Sequence, residues 1–138
     1  MKSFSSQVEE RIATYEKRLN AVFKASVQDA AEEMTRPMAK GGRMRVDTGF
    51  LRASLMASTS APPRINPTAR PRDGASYRPD GTVEAVILGA SIDSTIYLGF
   101  TASYAGVREY KDGFVEAALL NWDAIVQRNA RKAIRAFP

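Results

Sequence analysis

Residues 82–100 read TVEAVILGASIDSTIYLGF, and the reading of this stretch decides what kind of sheet the chain carries. From Thr82 to Gly89 the residues are β-branched or apolar on both alternating faces once Glu84 is passed, the pattern of a central strand covered on two sides. Ser91-Ile92-Asp93-Ser94 supplies the small polar residues of a short hairpin turn. Thr95 to Phe100 then reads as a second strand, with Ile96, Leu98 and Phe100 on one face. The stretch therefore predicts an antiparallel sheet over 82–102.

Working outward, both ends of the chain read as helices. Phe4, Val8, Ile12, Tyr15, Leu19, Val22, Phe23, Val27, Ala30 and Met34 recur in steps of three and four, with charged residues between them. At about 1.5 Å per residue this rod is about 45 Å long, more than a core of this size needs as a cover. Part of it is expected to pack on another subunit. Pro37 ends the pattern, because it lacks an N–H and pushes its predecessor out of the helical region. The N-terminal helical unit is thus residues 1–37. At the other end, Val115, Ala118, Leu119, Trp122, Ile125, Val126, Ala130, Ala133, Ile134 and Phe137 have helical spacing. Lys132 and Arg135 lie in its last turns, where the helix dipole favours positive charge. Trp122 and the Phe, Leu and Ile residues of both helices are expected in the core. With both helices on one sheet face, Val86, Leu88 and Tyr97 would fall on the other, an open apolar surface of the kind partners occupy.

Three segments join these parts. Ala39 to Arg45 is a basic, Gly-containing connector expected to reach neighbouring subunits. In Val46 to Leu55, Asp47 or Thr48 can cap a short helix that aims Phe50, Leu51 and Leu55 inward, and a first strand follows from Leu55 to Thr59, making 46–59 one unit. Residues 60–81 hold Pro62, Pro63, Pro67, Pro71 and Pro79 with Arg64, Arg70, Arg72 and Arg78. Unstructured connections this long are uncommon inside compact domains, so the segment reads as a projecting arm that orders on a partner. The predicted fold class is α+β: a single domain over 1–138, with two long amphipathic helices packed on a small antiparallel β-sheet and a long Pro/Arg-rich loop.

Composition narrows the chemistry. The 138 residues hold no Cys and no His, which removes thiol nucleophiles, disulfides, thiolate or imidazole metal sites and the side chain that titrates near neutrality. The acids are scattered beside bases, with no Asp-x-Asp or Ser-x-x-Lys spacing. No catalytic residue, cofactor or metal site is expected, and the protein reads as a non-enzyme. No stretch approaches the roughly 20 apolar residues of a membrane span, and no signal-peptide core follows Met1, so a soluble protein made in a cytoplasm is expected. The net charge is +5. Between Arg36 and Asp80 nine basic side chains face three acidic ones, which admits a small basic nucleic-acid-binding protein as the alternative reading. Aromatic residues hardly interleave with these bases, so any DNA contact would be to backbone.

Two motifs resemble a known group. Val46-Asp47-Thr48-Gly49-Phe50-Leu51-Arg52-Ala53-Ser54, read as V-D-T-G-x-L-R-x-S, looks like the signature of the neck or minor tail-component family of lambdoid-type tailed bacteriophages. Downstream, Tyr104-Ala105, Glu109-Tyr110, Gly113-Phe114 and Ala117-Ala118-Leu119 are similar to that family's Y-A-x-x-x-E-[YF]-G, followed by a Phe and an Ala-Leu helix start. Lys111-Asp112 stands where that family often carries a Pro-rich link. The order of elements is also similar, with residues 104–138 as Tyr-Ala motif and C-terminal helix. The resemblance implies a structural viral protein of the virion, acting in the head-tail connector or in tail completion as a homo-oligomeric ring, a hexamer or dodecamer. Its implied partners are adjacent head-closure or connector proteins and tail-terminator or tail-tube proteins, with non-specific contact to packaged DNA and assembly in the host cytoplasm.

Within that reading, capping alone accounts for Asp47 and Thr48, and Arg52 is the better interface candidate. Tyr104, Glu109 and Tyr110 form a second candidate patch, in which Glu109 meets a neighbour's arginine or is simply solvated. Arg64, Arg70, Arg72 and Arg78 are expected to meet acids of an adjacent ring in preference to DNA phosphates.

Overall fold

The computed structural model describes residues 1–138. The first helix, α1, runs Phe4–Thr35. Ser3 starts it by accepting the Ser6 amide at 3.2 Å, and Arg36 leaves in extended backbone one residue before Pro37. The first buried residue on α1 is Ser26, followed by Val27, Ala30, Ala31 and Met34. Only the second half of the rod therefore belongs to the body. No helix is long and apolar enough to cross a membrane.

After α1 the chain makes a 3₁₀ turn at Met38–Lys40 and then returns, with Met38 donating to the Met44 carbonyl at 2.9 Å. The basic connector is thus a tight loop whose Met44 is fully buried, instead of a strand of chain free to reach outward. A short helix α2, Phe50–Ala53, leads into β1, Leu55–Ser58. Thr48 helps to start α2, its hydroxyl accepting the Phe50 amide at 3.2 Å.

The expected strand at 82–89 is a helix. α3 spans Thr82–Gly89, and its start is written locally: the Asp80 carboxylate accepts the Thr82 amide at 3.0 Å and the Thr82 hydroxyl at 2.7 Å. Glu84 lies in the first turn, where the helix dipole favours it. Val83, Ile87 and Ala90 point inward at helical spacing while Leu88 is exposed. An unbroken apolar run satisfies a buried strand and a short helix equally well, so periodicity could not separate them.

In consequence β2, Tyr97–Phe100, has no hairpin partner next to it in sequence and pairs instead with β1. The pair is antiparallel, with register Leu55↔Phe100 through Ser58↔Tyr97. The open sheet face expected to carry Val86, Leu88 and Tyr97 does not exist, since Val86 and Leu88 belong to α3.

The C-terminal helix is broken into three. α4 spans Ala105–Asp112, α5 Phe114–Leu120 and α6 Trp122–Ala136. Gly113, in left-handed backbone at φ 68, separates α4 from α5. At the α5–α6 junction Asn121 turns its amide to Glu33 of α1 at 3.1 Å. The core joins Ala31, Met34, Met44, Leu51, Leu55, Phe100, Ala102, Ala105, Phe114 and Ala118. Trp122, Phe4, Ile12, Leu19, Leu119 and Ile134, all expected inside, lie on the surface, Trp122 partly covered.

Residues 60–81 contain no helix or strand, yet they do not project. Asn66 donates to the Thr101 carbonyl at 2.9 Å, Ser103 to that of Ala69 at 3.0 Å and Tyr77 to that of Thr48 at 2.8 Å. The segment is a strap laid along the body, tied by backbone hydrogen bonds that leave its arginine side chains in water.

A polar seam joins α1 to α6. Buried Asn129 donates to the Ser26 hydroxyl at 3.3 Å and to the Asp29 carboxylate at 3.0 Å, and Arg128 reaches the same carboxylate at 2.9 Å. Burial by itself would raise the Asp29 carboxyl, but the bonds from Asn129 and Arg128 and the charges of Arg128 and Lys132 outweigh it and hold it below its ordinary value. A carboxyl lowered by folding contributes stability that is whole above its unfolded value of about 3.9 and is lost as pH falls through the lower folded value. Urea midpoints are therefore expected to drop on acidification below about pH 4, and to drop less steeply in Asp29→Asn. Equal acid slopes in both proteins would remove Asp29 from the account.

Candidate functional site

The two motifs, remote in sequence, meet in one cleft of about 380 Å³. Val46 to Arg52 forms one wall, and Tyr104 and Arg108 of the Tyr-Ala segment form the other, with Pro71 of the strap at the rim. Gly49 makes this possible. It adopts φ +84, and a Cβ there would lie 2.3 Å from the Tyr77 carbonyl oxygen, so only glycine lets the strap come so close. Phe50 is then held between Tyr77, edge-on at 5.0 Å, and Tyr104, tilted at 6.4 Å. Burial, with the Asp47 carboxylate nearby, pushes the Tyr104 phenol above its ordinary value. The ring is thus a neutral hydrogen-bonding group at any physiological pH.

Three guanidinium groups line the cleft, and each is partly used inside the chain. Arg52 donates through Nε to the Thr35 carbonyl at 3.0 Å, capping one of the orphan carbonyls at the negative end of α1. Arg108 grips Asp112 through Nε at 3.1 Å and through Nη2. Arg45 reaches the other oxygen of Asp112 at 3.5 Å. Asp112, with its side chain only 6% exposed, is the acid on which both arginines are anchored. A guanidinium has five donors in a planar fork, so each retains donors for an incoming carboxylate or phosphate. The cleft offers three guanidinium groups, partly balanced by Asp47 and Asp112, beside the Tyr104 ring, and their spare donors suit a chain segment bearing carboxylates. No group of acids that could hold a metal ion occurs, and every buried side-chain polar atom has a partner.

The sequence candidates divide accordingly. Arg52 and Tyr104 are brought together in this cleft. Glu109 is engaged elsewhere: its carboxylate accepts the amides of Val115 at 2.8 Å and Glu116 at 3.0 Å, capping the start of α5. Tyr110, two residues before Asp112, is 91% exposed. Arg64, Arg70, Arg72 and Arg78 are spread along the strap with exposed side chains. Arg70 borders a shallow basin with Ile65, Pro67 and Tyr104. Arg45, Arg108, Asp112, Phe50 and Tyr77 were not among the site candidates read from the sequence, although Phe50 was expected to point inward. Arg108 and Asp112 carried a usable signal, opposite charges four residues apart on a helix. Nothing local marks Arg45 or Tyr77, whose roles arise from the strap and the connector closing over the motif.

Glu109→Ala is expected to lower stability by about 1 kcal/mol, the usual cost of a lost cap, without changing the state of association. Thermal melting with sedimentation on the same samples checks both. Weaker association at unchanged stability would return Glu109 to the subunit interface.

Comparison with protein-family models, with curated proteins and with solved structures finds no match to this chain.

Proposed function

We propose that the protein is a structural subunit of a tailed-phage virion, which assembles as a closed ring in the neck or tail-completion region. The virion assignment rests on the resemblance of the V-D-T-G-x-L-R-x-S and Y-A-x-x-x-E-Y segments. The observation that carries assembly is that apolar side chains stay bare at two unlike places. One is the N-terminal half of α1, where Phe4, Ile12, Tyr15 and Leu19 are exposed; the other is the α5–α6 junction, where Leu119, Leu120 and Trp122 are exposed. Exposed apolar patches of this kind commonly mark protein interaction sites. Two different patches on one subunit provide two separate contacts between copies, enough to close a ring when the rotations permit. The cleft of Arg45, Arg52 and Arg108 fits an acidic segment of an adjacent ring.

Electron microscopy of the purified protein, with sedimentation over a concentration series, tests this reading. Closed rings or their arcs are the expected result. A chain that stays monomeric at high concentration and is absent from phage particles defeats it.

The alternative, a small basic nucleic-acid-binding protein, draws on one observation: Arg64, Arg70, Arg72 and Arg78 are exposed and none takes part in an ion pair. It requires duplex DNA binding that weakens steeply with added salt. An absence of binding at low salt removes it.

A further inference from the structure

The exposed half of α1 has more order than an apolar stripe. From Val8 onward its bare apolar residues follow a heptad, with Ile12 and Leu19 at the a positions and Val8 and Tyr15 at the d positions, while Phe4 falls at a g position. The flanks of the stripe differ in sign. Glu9 and Glu16 occupy the e positions, and Arg11 and Arg18 the g positions. Both guanidinium groups lie 5.5 Å from the centre of the Tyr15 ring, one on either side of it along the helix. The next a residue, Ser26, is buried under Asn129 of α6. Before it, the end of α6 reaches only as far as Arg18, which donates to the Phe137 carbonyl at 2.6 Å. One face of one helix is thus covered by the chain itself in its second half and left bare in its first.

We infer that this rod docks in parallel, and in register, against the same rod of a second copy of the chain. The charges decide both partner and direction. In a parallel pair the g residue of one helix meets the e residue five positions on in its neighbour, which sets Arg11 against Glu16. In an antiparallel pair g meets g and e meets e, which would set arginine against arginine and glutamate against glutamate. Each copy uses the same stripe, so the contact closes a two-fold pair, and the second bare patch at the α5–α6 junction is left to join pairs into a ring. The bare stretch is only a few turns long, little more than the about 12–15 residues below which an isolated helix is marginal in water. Here it continues a helix anchored in the core, so its ordering is already met before docking. The inference rests on the proposed side-by-side assembly and adds the segment, direction and register that begin it.

The chain has no cysteine, so single replacements report on contacts between copies. In the full-length protein, Ile12→Cys and Leu19→Cys are each expected to give disulfide-linked dimers under diamide, while Lys17→Cys, on the back of the rod, is not. Arg11→Glu should weaken association by about fivefold per contact, in line with an exposed pair worth up to about 1 kcal/mol. Adding Glu16→Arg to Arg11→Glu should restore it, as should mixing the two single variants. These residues are exposed, so the subunit itself stays folded. Cross-linking at one of positions 12 and 19 but not the other indicates an antiparallel crossing and overturns the inference. Rings that form without cross-linking at either position overturn it while leaving the ring reading intact. A monomer at every concentration overturns both.

Discussion

Phe114→Ala is expected to bring the protein close to its unfolding limit. Phe114 is 1% exposed and meets Phe100 edge-on at 5.1 Å, with the ring planes at 75°. Four of the ten buried residues of the central cluster are alanines, so its packing depends on a few large side chains. Removing one such aromatic loses its transfer energy and leaves a cavity, together about 3–5 kcal/mol. A domain of ordinary stability holds only about 5–15 kcal/mol in all. The urea midpoint should fall sharply with little change in slope. Phe114→Leu should lose less, because leucine refills part of the volume. A midpoint unmoved by the alanine change would mean that Phe114 does not join α5 to the sheet.

Gly49→Ala is expected to open the cleft in which the two motifs meet. The substitution places a side chain in left-handed backbone and drives its Cβ to 2.3 Å from the Tyr77 carbonyl oxygen. The strain of such a backbone is about 1–2 kcal/mol, and the clash must be relieved by lifting the strap. That would break the Tyr77 to Thr48 hydrogen bond and the edge contact between Phe50 and Tyr77, for a combined cost of about 3 kcal/mol. Gly74→Ala is the matched control. Gly74 also has a positive φ, of 75, but nothing lies within 4 Å of its Cβ position, so it should cost about 1–2 kcal/mol. Limited trypsin digestion gives a second readout at Arg64 and Arg72 of the strap, since Arg70 and Arg78 precede prolines and resist cleavage. Gly49→Ala should be cut there faster than Gly74→Ala. Equal stability and equal digestion of the two variants would mean that the strap does not pack on the Thr-Gly turn.

Both variants concern places where elements meet, and that is where reading the sequence fell short. The run from Thr82 to Gly89 was misassigned because a half-buried short helix and a covered strand bury the same residue types. The deciding marks were beside it, in Asp80-Gly81 and Glu84, which act on orphan amides and on the helix dipole and leave hydrophobic periodicity unchanged. That one change removed the expected hairpin and sent β2 to pair with Leu55–Ser58. The strap of 60–81 was legible as irregular chain from its prolines. That it lies against the body was not, because its ties are backbone bonds to Thr48, Thr101 and Ser103, and backbone groups have no sequence signature.

By itself, the sequence determined what depends on a few neighbouring residues: the extent of α1, its end before Pro37, the short helix after Thr48 and the mixture of helix with a small sheet. Helical period, proline and capping act within a turn or two of chain, so they can be read without knowing the fold. Tertiary structure alone decided which strand β2 joins, that Arg45 and Arg108 share Asp112, and how far along α1 the body extends. These outcomes depend on which surfaces come together in three dimensions. An apolar residue such as Ile12 looks the same in sequence whether the chain's own helices cover it or a second copy must.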